Sequence, residues 1–253
     1  MRRPLVGFVL CLILVQLIFA VEEGWTSTFN VSPLQIVLSG KTSSALLEIK
    51  NQSTESLRLQ LSVSAWDQSP SGEMVLAATE DIILFPSLLT LEAGETRKVR
   101  LGTAVPRSGT EKSYRAFVEE LPPQQTEPVT GGNIRVLTRL SIPVFLQPAQ
   151  NILRGEIADL TVHDATASFE IRNIGNVHFS ARHIEVVGLG LSGPPITKHA
   201  FEGWYILSGG SRRYDVRLSL DDCRKLRLLT VEVQTELGPL KREATLQPGA
   251  CGR

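Results

Sequence analysis

From residue 29 onward the chain alternates. Apolar and β-branched residues stand at every second position in short runs, with Gly, Pro, Ser and Asn between the runs. Period-two alternation marks strands with one apolar face, and helical periodicity is nearly absent. The pattern predicts strands over Phe29–Leu38, Ala45–Ile49, Leu57–Trp66, Ile82–Phe85, Thr96–Leu101 and Ser113–Glu120. In the third, Leu57, Leu59, Leu61, Val63 and Ala65 alternate with Arg58, Gln60, Ser62 and Ser64. A second set is predicted near Ile157–His163, Ala167–Arg172, Ala181–Val187, Tyr214–Leu218, Leu228–Thr235 and Lys241–Leu246, with the breaker-rich Gly188–Pro195 as a loop. Short strands recurring in this way are the signature of β-sandwiches. The predicted fold is all-β: two immunoglobulin-like β-sandwich domains, 25–147 and 150–253, meeting near Pro148–Asn151 through a linker too short to swing freely.

The longest alternating stretch is Asn133–Leu146, NIRVLTRLSIPVFL. Ile134, Val136, Thr138, Leu140, Ile142 and Val144 share one face, and Arg135, Leu137, Arg139 and Ser141 begin the other. One strand over this stretch is roughly 45 Å long at ~3.3 Å per residue, beyond what a small sheet needs. Two readings stay open: a core strand that joins two domains, or a strand of which part is an edge offered to another polypeptide.

The N-terminus changes the compartment. Arg2 and Arg3 precede an apolar run that ends at Ala20, the pattern of a secretory signal peptide over residues 1–20; a single membrane anchor is the alternative. No second run of spanning length follows, so no membrane span is expected in the mature chain. Without residues 1–20 the chain keeps 24 Lys+Arg against 26 Asp+Glu, a net charge of −2 that points to neither nucleic acid nor an anionic membrane. Cys223 and Cys251 remain, and an even pair in an exported protein argues for a disulfide over two free thiols.

Catalytic signals are missing. His163, His178, His183 and His199 show no metal-ligand spacing, and there is no GxSxG, P-loop or GxGxxG motif. No enzyme, no metal and no cofactor is expected. Asn30-Val31-Ser32 and Asn51-Gln52-Ser53 fit the glycosylation sequon. Arg97, Arg100 and Arg115 lie in strands with apolar neighbours, and a buried Arg requires an acidic partner or a bound anion. Glu111 is a candidate partner for Arg100; Arg115, in SYRAF, has no local acid facing it.

Seven segments in order resemble the PapD-like periplasmic pilus chaperones of the chaperone–usher pathway. They are FNVSPLQIVLSG (Phe29–Gly40), SALLEIKNQS (Ser44–Ser53), SAWDQ (Ser64–Gln68), DIILFP (Asp81–Pro86), LEAGETRKVRL (Leu91–Leu101), EKSYRAFVEELP (Glu111–Pro122) and RLSIPVFLQP (Arg139–Pro148). IRNIGNVHF (Ile171–Phe179) and GWYILSGGSRRY (Gly203–Tyr214) extend the likeness more weakly into the second domain. The resemblance implies a boomerang of two immunoglobulin-like domains. It also implies that the long strand completes a pilin lacking its last strand, with Ile134, Val136, Thr138 and Leu140 as donors. Pilin subunits and an outer-membrane usher are the implied partners, and the periplasm the implied compartment. The family's usual positively charged anchor pair falls on Gln35 and Pro143, neither of them cationic. The SYR and IPVF motifs resemble the archaic or alternative subgroup, which implies Arg115, helped by Arg139 or Arg135, as the carboxylate anchor and Arg100–Glu111 as a structural salt bridge. The alternative function is a secreted, self-assembling structural or adhesive β-sandwich protein, which would need a long self-donated N-terminal strand. A glycan-binding or hydrolytic module would want clustered aromatics, and Trp25, Trp66 and Trp204 are far apart in sequence.

Overall fold

Alternating strands bury one face each, and here they close two separate cores. The computed structural model describes residues 29–69, 71–122, 136–236, 238–246 and 250–251; the signal peptide expected at 1–20 lies outside them. In the first sandwich, β1 (Phe29–Ser32), β3 (Ser44–Asn51), β8 (Thr96–Thr103) and β6 (Ile82–Phe85) form one sheet in that order. The facing sheet runs β2 (Ile36–Leu38), β10 (Arg139–Leu146), β9 (Lys112–Glu120), β4 (Leu57–Gln68), β5 (Met74–Ala78), and β7 (Leu88–Leu91) also pairs with β4. Leu47, Ile49, Leu59, Val99, Leu101, Val118 and Val144 fill the space between.

The second sandwich sets β11 (Gly155–His163), β12 (Thr166–Asn173) and β17 (Ser211–Arg217) against β15 (Thr197–Glu202), β14 (His183–Leu189), β18 (Leu228–Thr235) and β19 (Gly238–Thr245). β13 (Phe179–Ser180) pairs with β16 (Tyr205–Ile206). Phe169, Ile171, Phe179, Ile184, Val231 and Val233 form its core. Among the described residues no helix is long and apolar enough to cross a membrane.

Two expectations change. The strand expected over Phe29–Leu38 is two strands in different sheets: β1 pairs antiparallel with β3, and β2 runs parallel to β10. Pro33 has no N–H to continue the first ladder, so the chain crosses to the other sheet there. The short strands β5, β7, β13, β15 and β16 and the helix α1 (Leu220–Lys225) did not register in the pattern. β5 reads MVLAA, apolar at every position and exposed throughout, so it shows no alternation to read. Six residues are too few to show a helical period; α1 is marked only by its N-cap, Ser219, whose hydroxyl accepts from the Asp222 N–H at 3.0 Å.

The two sandwiches share a device that the sequence shows as IKNQS and IRNIG. Asn51 is fully buried; its Nδ2 donates to the carbonyls of Glu55, Leu91 and Glu92, and its Oδ1 accepts from the Ser53 N–H at 2.9 Å. Asn173 repeats this, with Nδ2 donating to Val177 and Ile206 and Oδ1 accepting from Gly175 N–H. The Asn51 sequon is therefore a buried staple between strand ends and no glycan acceptor. Asn51→Asp places an acceptor against carbonyls that accept from a donor now, so a loss of about 3 kcal/mol is expected. A fall in thermal midpoint checks it; a midpoint equal to wild type would refute the staple.

Cys223 on α1 and Cys251 are joined as a disulfide with an S–S distance of 2.08 Å, and both are buried in the second core. The bond closes a loop of sequence separation 28. In the chain-entropy description its removal costs about 3 kcal/mol. Reduction, or the double substitution Cys223→Ala/Cys251→Ala, is expected to lower the second domain's midpoint and leave the first domain's in place, as domain-resolved hydrogen exchange reads it.

Candidate functional site

β10 has an open flank. In an antiparallel pair, residues that bond the partner alternate with residues whose N–H and C=O point the other way. Glu120 N–H donates to the Thr138 carbonyl at 2.9 Å, so even-numbered residues of this strand face β9. Gln147 N–H donates to the Leu38 carbonyl at 2.9 Å, so odd-numbered ones face away, toward β2. β2 covers only Val144–Leu146. The backbone N–H and C=O of Arg139 and Ser141 thus point to a flank where no described strand pairs. Pro143 sits at an outward position, where its missing N–H removes no ladder bond.

The side chains divide by parity. Ile142, Val144 and Leu146 are buried in the first core, and Leu140 packs half-buried against it. Thr138 is half-buried, while Val136 is 80% exposed. Ile134 and Arg135 lie outside the described residues. The described strand is also shorter than the expected Asn133–Leu146: it starts at Arg139. Its ladder ends there because the Thr138 N–H bonds the Glu120 side chain at 3.3 Å instead of a backbone carbonyl, and because Pro122 closes β9's continuation.

Where β10 meets the second domain, the same outer face of the sheet becomes a floor for aromatic residues. Trp66 of β4, Phe145 of β10 and Leu207 form a buried cluster with Tyr205 packed on it. Polar bonds lock the junction: Gln68 donates to the Tyr205 carbonyl at 2.7 Å and accepts from the Leu207 N–H at 2.9 Å, and Asn176 donates to the carbonyls of Gly109 and Gln150. His178 stacks on Phe145 with ring centroids 3.5 Å apart. Its Nδ1 and its backbone N–H both meet Glu111 Oε1, at 2.6 and 2.9 Å.

Arg115 of β9 lies in this junction at 5% exposure. Its guanidinium carbon is 3.7 Å from the Trp66 ring centroid, 5.5 Å from that of Trp204 and 5.8 Å from that of Tyr205. Nε and Nη2, the side-on fork that matches a carboxylate, have no hydrogen-bond partner among the described residues. Burial holds the guanidinium below the ordinary arginine value, yet an arginine stays charged in proteins. The register places Gln35, Pro143 and Arg115 side by side: Ile36 and Tyr114 both pair with Val144, and Pro143 pairs with Arg115. Tyr205 Oη reaches Gln35 Oε1 at 3.4 Å. The two positions that lack a cation therefore stand in one row with the residue that has one, Pro143 lying between Gln35 and Arg115.

Other expected site residues fall elsewhere. Arg139 is exposed, ion-paired with Glu119 and stacked over Phe117 at 4.2 Å. It pairs with Glu119 while Arg115 pairs with Pro143, four residues along the strand, so the two arginines do not converge. The expected Arg100–Glu111 salt bridge is not formed: Arg100 is exposed and bonds Ser44 Oγ at 3.3 Å, whereas Glu111 is buried against His178 of the other domain. Alternation on β8 turns Arg100 outward beside buried Val99 and Leu101, and Arg97 likewise is exposed and pairs with Glu95. Trp66, Trp204, Tyr205 and His178 were not read as site residues, because their partners lie across the domain boundary. Among the described residues no three His, Cys, Asp or Glu gather as a metal would require.

Residues 28–151 match the family described as pili and flagellar-assembly chaperone, PapD N-terminal domain. The structure is similar to that of the class 5 fimbriae chaperone CfaA, at 16% identity and TM-score 0.57, covering 87% of this chain and 100% of that one. It is similar to a structure of the CsuC–CsuE chaperone–tip adhesion subunit pre-assembly complex from archaic chaperone–usher Csu pili of Acinetobacter baumannii, at 18% identity and TM-score 0.56, covering 86% and 98%. A Salmonella enterica SafA pilin–SafB chaperone complex gives 14% identity and TM-score 0.55, covering 88% and 98%. At these identities the structural likeness shows the fold. No curated protein matches the sequence. Two linked immunoglobulin-like sandwiches define the fold, and residues 28–151 place the first domain in the PapD-like chaperones of pilus assembly, which are not enzymes.

Proposed function

We propose that this protein is a periplasmic chaperone that captures incomplete pilin subunits by donor-strand complementation and delivers them to an outer-membrane usher. The observation that carries the reading is the flank of β10: outward N–H and C=O groups on Arg139 and Ser141, next to an exposed Val136, leading to the buried fork of Arg115. Main-chain bonds along that flank would hold any extended partner, and side-chain pockets would set its register. Ile134, Val136 and Thr138 serve as donors, with Val136 the residue most free to leave its own domain. Leu140 lends only its outer part, since it already packs against the first core. Arg115 receives the subunit's C-terminal carboxylate. The SYR motif and the missing cations at Gln35 and Pro143 support a reading close to the archaic or alternative subgroup.

The direct test is co-expression with a small pilin from the same gene cluster, followed by amide hydrogen exchange on the purified complex. The amides of Arg139 and Ser141 are expected to slow at least tenfold on complex formation, while even-numbered Leu140 and Ile142, already bonded to β9, change little. Equal protection of all four with and without subunit would rule out strand addition at this edge. The same family match disfavours the self-assembling adhesive alternative; the N-terminal segment on which that alternative depends lies outside the described residues.

A further inference from the structure

A buried carboxylate needs a compensating charge, and the candidate partner of Glu111 belongs to the other domain. The Glu111 side chain is fully buried. Its Oε1 accepts from the His178 backbone N–H at 2.9 Å and meets His178 Nδ1 at 2.6 Å. Its Oε2 is buried with no hydrogen-bond partner among the described residues. Glu111 N–H donates in turn to the Asn176 carbonyl at 2.8 Å. The imidazole is itself largely buried, stacked on Phe145 with Tyr205 at 5.7 Å. The charges around the pair have other contacts: Lys112 bonds Asp81, Glu236 bonds Arg182 and the Ser180 N–H, and Arg115 stacks over Trp66, 5.8 Å from Tyr205.

Gln68, Asn176 and Tyr205 also bond across the junction, but amides and phenols do not titrate near neutrality. Histidine does. With His178 protonated, Nδ1–H donates to Oε1 and the cation offsets the carboxylate. With His178 neutral the bond survives in one tautomer, yet the carboxylate stays buried with its charge unmatched and one oxygen unbonded. Separation of the domains, which returns Glu111 to water, is then opposed less. We infer that Glu111 and His178 form a pH-dependent clasp between the two domains, closed while both are charged and loosened as pH rises through the titration of His178. The favourable contact needs both charges, so deprotonation of His178 removes it on the alkaline side and protonation of Glu111 on the acid side. The clasp governs how firmly the second domain closes over Arg115, because Trp204 and Tyr205, which line that guanidinium, belong to the second domain. It operates in the free protein, whatever the chain captures.

The test uses the full chain and two NMR measurements over a pH series: the ring signals of His178, and amide exchange taken relative to the intrinsic rate at each pH. Leu207 N–H, which donates to Gln68 Oε1, and Glu111 N–H, which donates to the Asn176 carbonyl, report opening of the junction. Val118 and Val231, in the two separate cores, are the controls. Opening at Leu207 and Glu111 is expected to rise roughly tenfold or more as pH climbs through the His178 titration, with the same midpoint, while the controls change less than about twofold. Glu111→Gln keeps an acceptor and removes the charge, and His178→Gln removes the titrating ring. Each should flatten the profile to less than about twofold, whereas a contact of purely structural value would lower protection equally at every pH. Junction amides that hold constant while His178 titrates overturn the clasp, as does a wild-type slope that persists in Glu111→Gln. If Glu111→Gln unfolds, the wild-type comparison of the two midpoints decides by itself.

Discussion

Val136→Asp abolishes capture of pilin subunits and leaves the chaperone's melting temperature unchanged. Both halves come from one number: the side chain is 80% exposed in the free protein. Nothing in the chaperone depends on it, and surface substitutions of that kind stay within about 0.5 kcal/mol. In a complex the same side chain would fill an apolar pocket, where a valine contributes about 1.5 kcal/mol or more. An aspartate there loses that contribution and adds the penalty of a buried, unpaired charge, several kcal/mol further. A combined loss of about 4 kcal/mol is close to a thousandfold in affinity. Ile134→Asp should act in the same direction. Periplasmic co-purification reads the outcome: a pilin recovered with Val136→Asp at wild-type yield removes Val136 from the binding surface. Leu140→Asp is the instructive control, because Leu140 packs on the first core and its replacement should lower stability as well as capture.

Arg115→Met is expected to weaken capture ten- to a hundredfold without destabilising the free chaperone. The free protein buries this guanidinium with Nε and Nη2 unpartnered, an arrangement that desolvation opposes. The contact with Trp66 at 3.7 Å offsets part of that opposition. Methionine keeps the apolar stem against the indole and removes the charge, so the melting temperature should hold or rise. Capture should lose one to two charge-assisted hydrogen bonds, about 1–3 kcal/mol. The contrary pattern, a lower midpoint with normal capture, makes Arg115 a structural residue of the domain junction. The Glu111–His178 contact supplies the comparison: Glu111→Gln alters an interdomain bond of 2.6 Å that touches neither the β10 flank nor the Arg115 fork. Its effect should appear in the rigidity between domains before it appears in subunit binding.

The two substitutions separate the parts of the proposed grip. Val136 tests the strand and Arg115 tests its terminus, and they stand at opposite ends of the open flank. Reduced capture in both, each with an intact fold, is the outcome that a long complementing strand requires. Loss in only one would shorten the interface to that end.

Much of this was legible in the residue pattern. Period-two alternation located most of the longer strands of both sandwiches, because each buries one face against its own core and the constraint is local. The phase was legible as well: Leu57, Leu59 and Leu61 face the first core as their spacing requires. The pairing of Cys223 with Cys251 follows once export leaves just two cysteines. Arg115 stood out as a cation in an apolar strand, and it alone of the three arginines singled out in these strands is buried.

What alternation could not decide is which outward faces are covered by the other domain. Trp66 and Phe145 lie on the faces of β4 and β10 that turn away from the first core, and both are buried because the second domain closes over them. Glu111 was assigned to an arginine near in sequence and found its partner in His178, 67 residues on. The extent of the open flank is equally a tertiary matter, since it depends on where β2 stops, and β2 arrives there only because Pro33 sends the chain from one sheet to the other. Strand, phase and core are set by contacts a residue makes within its own sheet. The domain junction, the unpartnered fork of Arg115 within it and the free edge arise where two sheets or two domains meet, and no local period encodes that meeting.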